Sequence, residues 1–455
     1  MPAIAEKPAQ KKAKSKPTPA TNAEPILPKP QPEPAPPEIV YPQPFAFSVP
    51  AALLRDALKT LKPVASVRSG LPILRTVHIE REDGETRLTA TDLDNTLTLR
   101  HRSEPPPLSD MSRRILALRH ARENGVFCCE IESLVTLLKS VDGGEVIFRN
   151  LGPSKQGASE LEVPILGRPA LTEQSLGCNR PDEFPVFSAW TATSFPLAGE
   201  IIEALGDSLP FASTDETRYV LNGIYLDPEK QSVVATDGRT LLITRLPASF
   251  FTFPTGLGLA AMIVPIKTVQ LLKRGALALA EHFQISRFTN DRDAVSVRIE
   301  AGDWTLTSKL IEGNFPNYLQ VLPVEPQWEI MLEPKELPRL IKDITRLPAL
   351  SGKQPTVRQD TMFLSTDLNA RGRMRFSTSA DAYTESIGTP LKTDGDTIRV
   401  GVNREYLLRC FRLGLNHVRL IDAQSPMIFA DGVDVGTDGK NPARRRAVVM
   451  PIRVS

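Results

Sequence analysis

At 455 residues, with 41% hydrophobic and 24% charged residues and a formal net charge of +2, the chain has an ordinary globular composition. It has room for about three domains of the usual size. No run of ~18 apolar residues is present and the N-terminus lacks the apolar stretch of a secretory signal, which excludes a membrane-spanning helix and an exported precursor. Cys128, Cys129, Cys178 and Cys410 follow no metal or redox spacing and adjacent Cys128 and Cys129 are poor disulfide partners, so a cytoplasmic protein is expected.

Residues 1–44 hold 13 of the 41 prolines, six lysines and four glutamates, a composition that cannot bury a core and reads as a disordered tail. The rest of the chain then balances at 49 basic against 49 acidic residues, so its charge carries information only through where it faces. Beyond the tail, periodicity predicts a helix over 50–62, strands over 73–80, 86–90 and 95–100, a second helix over 130–140, and strands over 145–149 and 160–165. The 101–128 segment fits this order poorly and reads as a connection or insertion. The order then recurs: helix 197–209, strands 220–227, 232–236 and 240–245, helix 265–275, and strands 283–286, 294–300 and 304–309. A third, fainter set follows, with helices 334–347 and 403–414, strands near 362–365 and 374–379, and a final strand 447–453. Each set is an α+β unit with two helices.

Short motifs mark the same period. Leu88-Thr89-Ala90-Thr91-Asp92 is matched by Val234-Ala235-Thr236-Asp237-Gly238, Phe184-Pro185 by Phe315-Pro316, and Ser377-Thr378-Ser379-Ala380-Asp381 falls where a third such turn belongs. The repeat divides the chain into the tail 1–44 and three copies, 45–188, 189–325 and 326–455. Asp92 and Asp237 resemble a pair of catalytic acids, but equivalent turns of different copies make them structural. The five histidines lack metal-ligand spacing, and Gly256-Leu257-Gly258 lacks the rest of a phosphate loop. No nucleophile and base come together in the sequence, so the expectation is a protein that is not an enzyme and needs no cofactor or metal.

Helix faces give a positive clue. Lys335, Arg339, Lys342 and Arg346 share one side of their helix, opposite Leu337, Leu340, Ile341 and Ile344, and Arg55, Lys59 and Lys62 form a like stripe on the first helix. Arg404, Arg409 and Arg412 and, in the second copy, Lys267, Lys273 and Arg274 add to the pattern, whereas helix 197–209 carries Glu200, Glu203 and Asp207 and no base. Any one such face can be the solvated side of a surface helix, but its recurrence on four of six helices points to contact with a phosphate backbone.

Several longer segments carry a family resemblance: Leu71-Pro72-Ile73-Leu74, Arg218-Tyr219-Val220-Leu221-Asn222-Gly223, Val234-Ala235-Thr236-Asp237-Gly238-Arg239, Thr307 through Tyr318, and Val448-Val449-Met450-Pro451-Ile452-Arg453. In order and spacing, from Phe45 to the end, the chain resembles the bacterial DNA polymerase III β subunits, the sliding clamps. The resemblance implies the DNA clamp fold with three repeated domains, and a head-to-tail homodimer ring around duplex DNA. It also implies a pocket that takes short linear motifs of the replicative polymerase, the clamp loader and repair proteins. In such a ring the basic helix faces, with Arg55, Lys59, Lys62, Lys267, Arg339, Lys342 and Arg346, would meet DNA, and by the resemblance Arg68 and the loop from Asp215 to Tyr219 would approach it. The pocket would comprise Leu221, Thr236, Gly238, Arg239, Leu241, Pro316, Val321, Asn403, Tyr406, Val448, Val449, Met450, Pro451 and Ile452, with Arg239 and Asn403 orienting the bound segment. Thr240 stands where the family commonly has Arg, Gln320 replaces another frequent Arg, and the chain ends in Val454-Ser455, departures that bear on partner preference. The competing reading is a clamp-like paralogue that serves as an interaction module without encircling DNA.

Overall fold

The computed structural model describes residues 45–452 apart from 66–69, 103–123, 140–143, 151–159, 166–171, 180, 186–193, 252–259, 290–294, 323–324, 349–360, 368–372, 379–381, 394–396 and 433–442. The expected tail, Arg68, most of the 101–128 segment and the third copy's turn at 379–381 lie outside the described residues. Within them, three sets of elements follow one another. The first comprises β1 (Phe45–Pro50), α1 (Ala51–Leu61), β2 (Thr76–Glu82), β3 (Glu85–Thr91), β4 (Asn95–Arg102), β5 (Gly125–Glu130), α2 (Ile131–Lys139), β6 (Glu145–Asn150), β7 (Glu160–Ile165) and β8 (Thr172–Asn179). The second comprises β9 (Phe195–Leu197), α3 (Gly199–Ser208), β10 (Gly223–Asp227), β11 (Ser232–Thr236), β12 (Thr240–Arg245), β13 (Met262–Pro265), α4 (Ile266–Leu272), β14 (Phe283–Thr289), β15 (Val295–Ala301) and β16 (Trp304–Lys309). The third comprises β17 (Trp328–Leu332), α5 (Leu337–Arg346), β18 (Thr361–Asp367), β19 (Arg373–Thr378), β20 (Tyr383–Thr393), β21 (Arg399–Asn403), α6 (Arg404–Arg412), β22 (His417–Leu420), β23 (Met427–Ala430) and β24 (Arg445–Val449).

The element order matches expectation, with boundaries trimmed by local chemistry. Pro50 and Pro265 sit at the N-cap positions of α1 and α4 in extended conformation rather than inside the helices. Residues 72–75 form a single-turn 3-10 segment ahead of β2, where the sequence predicted strand, because Pro72 holds the first position of that turn. Likewise 216–222 is two short helical turns kinked at Arg218, the first capped by the Asp215 carboxylate, so β10 starts later than the apolar run suggested. The hairpin Asp83-Gly84 has both residues at positive φ (47° and 82°), the geometry a two-residue turn demands.

All the pairings among the described residues are antiparallel; some strands alternate in burial, as in β16, where Trp304, Leu306 and Ser308 are buried between more exposed neighbours, while β11, β12 and β23 are buried on both faces over nearly their whole length. The helices pack in pairs, α1 on α2, α3 on α4 and α5 on α6. They bury Leu54, Leu58, Leu134, Ile201, Val269, Leu340, Leu407 and their neighbours in one continuous core with the inner sheet faces.

The sheets do not stop at the ends of the sets. β4 of the first pairs with β16 of the second, Leu97 opposite Leu306 and Leu99 opposite Trp304. β12 of the second pairs with β24 of the third, Leu241 opposite Val448. Among the described residues two 12-stranded sheets result, each crossing one junction. In both, the fourth strand of one set meets the eighth strand of the next. No helix among the described residues is long and apolar enough to cross a membrane.

Candidate partner-binding site and basic helix faces

The β12–β24 seam organises the candidate site. Its upper end is the turn between β11 and β12, where Asp237 Oδ1 accepts hydrogen bonds from the backbone of Arg239 (2.9 Å) and Thr240 (2.6 Å) and from the Thr240 hydroxyl (3.0 Å). Thr236 Oγ1 donates to the Thr240 carbonyl (2.7 Å) and accepts from Gly238 N (3.0 Å). Gly238 has φ +83°, a left-handed conformation that selects glycine; the one atom a Cβ there would meet, the Arg218 guanidinium at 2.8 Å, is the movable end of an exposed side chain. Thr240, the departure from the family's Arg, is buried and spends its hydroxyl on closing this turn.

The C-terminal segment is strapped across the seam. Met450 N donates to the Arg239 carbonyl (2.9 Å) and Ile452 N to the Gly401 carbonyl (2.8 Å), tying the last described residues to the turn on one side and to β21 on the other. Met450 is 42% exposed although apolar, and Leu319 and Val321 are exposed nearby in sequence to Pro316. Behind this rim lies a small separate apolar cluster of Val234, Leu241, Ile243, Tyr318 and Val448, with Tyr225, Phe315 and Leu322 packed against it. Tyr225 and Phe315 stack with centroids 4.9 Å apart. The Tyr318 hydroxyl donates to Asp227 Oδ2 (2.9 Å) and lies 3.1 Å from Ser232 Oγ; burial, with Asp227 adding to it, pushes the phenol up to about 12.

The structure thus gathers most of the residues named from sequence: Thr236, Gly238 and Arg239 in the turn, Leu241 and Val448 in the floor, and Met450, Pro451 and Ile452 in the strap, while Tyr406 is half-buried on α6 against the main core. Half-buried Leu221 and exposed Pro316 and Val321 belong to the second set's loops that flank this floor in sequence. Two of the expectations are corrected. Val449 turns to the opposite face of β24 and joins the main core, as strand alternation requires. Asn403 is buried and its carboxamide oxygen accepts from Glu405 N (2.9 Å), so it caps α6 rather than orienting a bound segment. The sequence reading missed Val234, Ile243, Tyr225, Phe315 and Tyr318. The first two were legible as the every-second-residue partners of Thr236 and Leu241.

The basic faces are more uneven than the sequence implied. Arg55, Lys59, Lys62 and Lys139 surround a cavity of about 620 Å³ between α1 and α2, floored by Leu58, Val135 and Leu138. Lys139 is a further cation there that the helix stripe did not include. Lys59 pairs with Asp56 (3.0 Å) and Lys62 with Glu132 (2.8 Å), exposed pairs weak enough to be exchanged for phosphates. On α5, Lys342 and Arg346 are exposed. Arg339, by contrast, is gripped by Glu336 (2.8 Å) and Asp343 (2.9 Å) and donates to the Glu385 carbonyl (3.0 Å), so it is a brace more than part of a rail. Lys267 pairs with Asp92 across the first junction, and Arg409 with Asp237 across the second. Arg404 is buried and donates to the Leu347 carbonyl at the end of α5 (2.8 Å). Tyr219 is exposed on its 3-10 segment.

A family model described as "DNA polymerase III beta subunit, central domain" matches residues 201–317, the heart of the second set. The beta sliding clamp of Caulobacter vibrioides is 26% identical over 416 residues, covering 89% of this chain and 98% of that protein. A crystal structure of the C. crescentus beta sliding clamp superposes with a TM-score of 0.69 at 23% identity, covering 90% of this chain and all of that one. The Helicobacter pylori beta clamp, solved bound to a DNA ligase peptide, does so with a TM-score of 0.66 at 19% identity over the same shares. A threefold α+β array joined by continuous sheets, with helices paired behind them, is the DNA clamp fold. Over residues 201–317 the chain matches the central domain of the DNA polymerase III β subunits, and over nearly its whole length it is similar to the β sliding clamps.

Proposed function

We propose that this protein is a DNA sliding clamp, a non-catalytic processivity factor of the replicative polymerase. It encircles duplex DNA and tethers the polymerase, the clamp loader and repair proteins through the apolar site on the β12–β24 seam. The observation that carries the ring is the junction rule. Because β4 pairs with β16 and β12 with β24, the next pairing of that type joins β20 to β8 of a second copy. Over Tyr383–Ile387, β20 pairs with β19, and no strand is paired to its other edge there among the described residues. β8 is paired along one edge with β7 over 172–177, and among the described residues its other edge pairs with β5 at Cys178 and Asn179, which leaves that edge open over 172–177. Tyr383, Ile387 and Leu391 stand exposed along β20, apolar area that a strand partner would cover.

Two such contacts close a head-to-tail homodimer of six domains, with boundaries 45–188, 189–325 and 326–455 in each chain, and twelve helices line the hole. Arg55, Lys59, Lys62, Lys139, Lys342 and Arg346 then face the duplex, with Tyr219 at its edge and Lys267 and Arg339 contributing through their braced positions. Contacts to phosphates carry no sequence information, so the ring slides, and its retention is topological. The cytoplasm is where such a factor works. The test is retention on circular against linearised DNA after loading, across a salt series: a clamp stays on circles and runs off free ends. Equal loss from both would leave only an interaction module that does not encircle DNA.

A further inference from the structure

The seam does not end at the apolar floor. Leu241 faces Val448 across the β12–β24 ladder, and two residues farther along Ile243 faces Arg446. Alternation puts Leu241 with Ile243, and Val448 with Arg446, on one face of the sheet. There the surface opens into a second cavity of about 590 Å³, which shares Ile243, Tyr318 and Leu322 with the floor of the candidate site. Its wall is cationic, formed by Lys230, Arg245, Arg444 and Arg446, and no Asp or Glu lines it among the described residues.

The described acids nearest this wall have partners of their own. Asp227 accepts from the Tyr318 hydroxyl and from Lys230 N, and exposed Glu229 pairs with Lys230 (3.0 Å). Asp207 and Asp431 pair with Arg445, the neighbour of Arg446 on the opposite face of β24. Arg245 and Arg444 are exposed, and their backbones are joined by the Arg245 N to Arg444 carbonyl bond (2.8 Å), so both project from an ordered strand end. One groove therefore runs from an apolar floor into a cluster of positive charge.

We infer that this cationic cavity is a charge-reading extension of the partner site: a linear segment that seats its apolar residues over Leu241 and Val448 continues along the seam and places flanking Asp or Glu side chains among Arg245, Arg444, Arg446 and Lys230. This rests on the partner-binding reading of the seam and names the chemistry that ranks partners there. Arginine forks suit carboxylates, and the apolar floor beneath them lowers the local dielectric, so complementary charge adds selectivity to an otherwise generic apolar contact.

The experiment uses the full chain and three labelled peptides that share one Leu- and Phe-bearing apolar core. One carries an Asp/Glu flank on its N-terminal side, one carries it on its C-terminal side, and one carries Asn/Gln on both. Anisotropy titrations at low salt should show one of the acidic peptides binding about tenfold tighter than the neutral one, an advantage that shrinks with added salt. The double variant R245Q/R444Q, checked for an unchanged unfolding transition, should bring that acidic peptide down to the neutral level and leave the neutral peptide's affinity as it was. Equal affinities for all three peptides, or an equal loss for all three in the double variant, would overturn the charge-reading role while leaving the apolar site standing. Binding of none of them to the unaltered chain would overturn the apolar site itself, and this extension with it.

Discussion

Arg409 Nη1 lies 3.1 Å from Asp237 Oδ2, a pair that reaches from the second helix of the third domain to the β11–β12 turn of the second. One domain earlier, Lys267, on the second helix of the second domain, makes the corresponding pair with Asp92 in the β3–β4 turn of the first. Each of these aspartates also closes its own turn, Asp92 Oδ1 accepting from Asn95 N (2.6 Å) and Asp237 Oδ1 from Thr240 N (2.6 Å). The repeated Thr-Asp pattern therefore marks the device that locks each domain to the next, beside the strand pairing that joins them.

Asp237→Ala removes the turn's acceptor and leaves the partly buried Arg409 without its carboxylate. It is expected to cost about 2 kcal/mol, read as a lowered denaturation midpoint. Arg409→Met, which removes the charge instead, should cost less. Equal stability of Asp237→Ala and the parent chain would mean that the turn is held by its backbone alone.

Charge reversal on the helix faces should sort by how each base is held. Lys342→Glu with Arg346→Glu, both exposed, should weaken DNA association and flatten its salt slope without a change in unfolding. Arg339→Glu breaks contacts to Glu336, Asp343 and the Glu385 carbonyl, so its effect should appear in thermal stability as well. Filter binding across a salt series, beside calorimetry, separates the two.

Met450→Asp places a carboxylate on the exposed rim above Leu241 and Val448. Peptide binding should fall at least a hundredfold while the sheet pairing persists, because only the Met450 backbone bonds to Arg239. Fluorescence anisotropy with an apolar-core peptide reads the loss, and circular dichroism checks the fold.

Ile387→Asp on the exposed face of β20 should shift the dimer to monomer, since a charge would be buried where a second chain's strand is proposed to lie. Sedimentation at micromolar concentration distinguishes the species. A dimer of unchanged strength would remove β20 from the contact.

His417 is buried, its Nδ1 3.0 Å from the Gly432 carbonyl and its Nε2 beside the Glu329 carboxylate, with Arg419 on the same acid. Burial, reinforced by Arg419 and opposed by the Gly432 carbonyl and Glu329, lowers its pKa below the ordinary value. Burial against Phe184 does the same for His78, opposed by Glu80. With folded values lowered, the unfolded chain takes up these protons first as pH falls. Stability should therefore be flat above about pH 6.5 and decline below it. Denaturation midpoints at pH 7.5 and 5.5 test this, and His417→Gln should reduce the difference.

Periodicity, the two Thr-Asp turns and the Phe-Pro pair were sufficient to give the α+β repeat, its period and the two-helix count, because each depends on neighbours a few residues apart. Gly238 was legible for the same reason, since its positive φ is a local demand. The pairing of β4 with β16 and of β12 with β24 was not, because it joins strands more than 200 residues apart. Side-chain duty followed that pairing. Arg339, Arg404 and Arg409 read as a phosphate-facing series on helix wheels, yet each is claimed by an acid or a carbonyl brought from elsewhere in the chain or from the next turn. The sequence by itself determined which residues could be apolar floor, turn or rail. Only the tertiary structure decided which of them face open surface, because charge and burial at a side chain are set by whatever distant segment packs beside it.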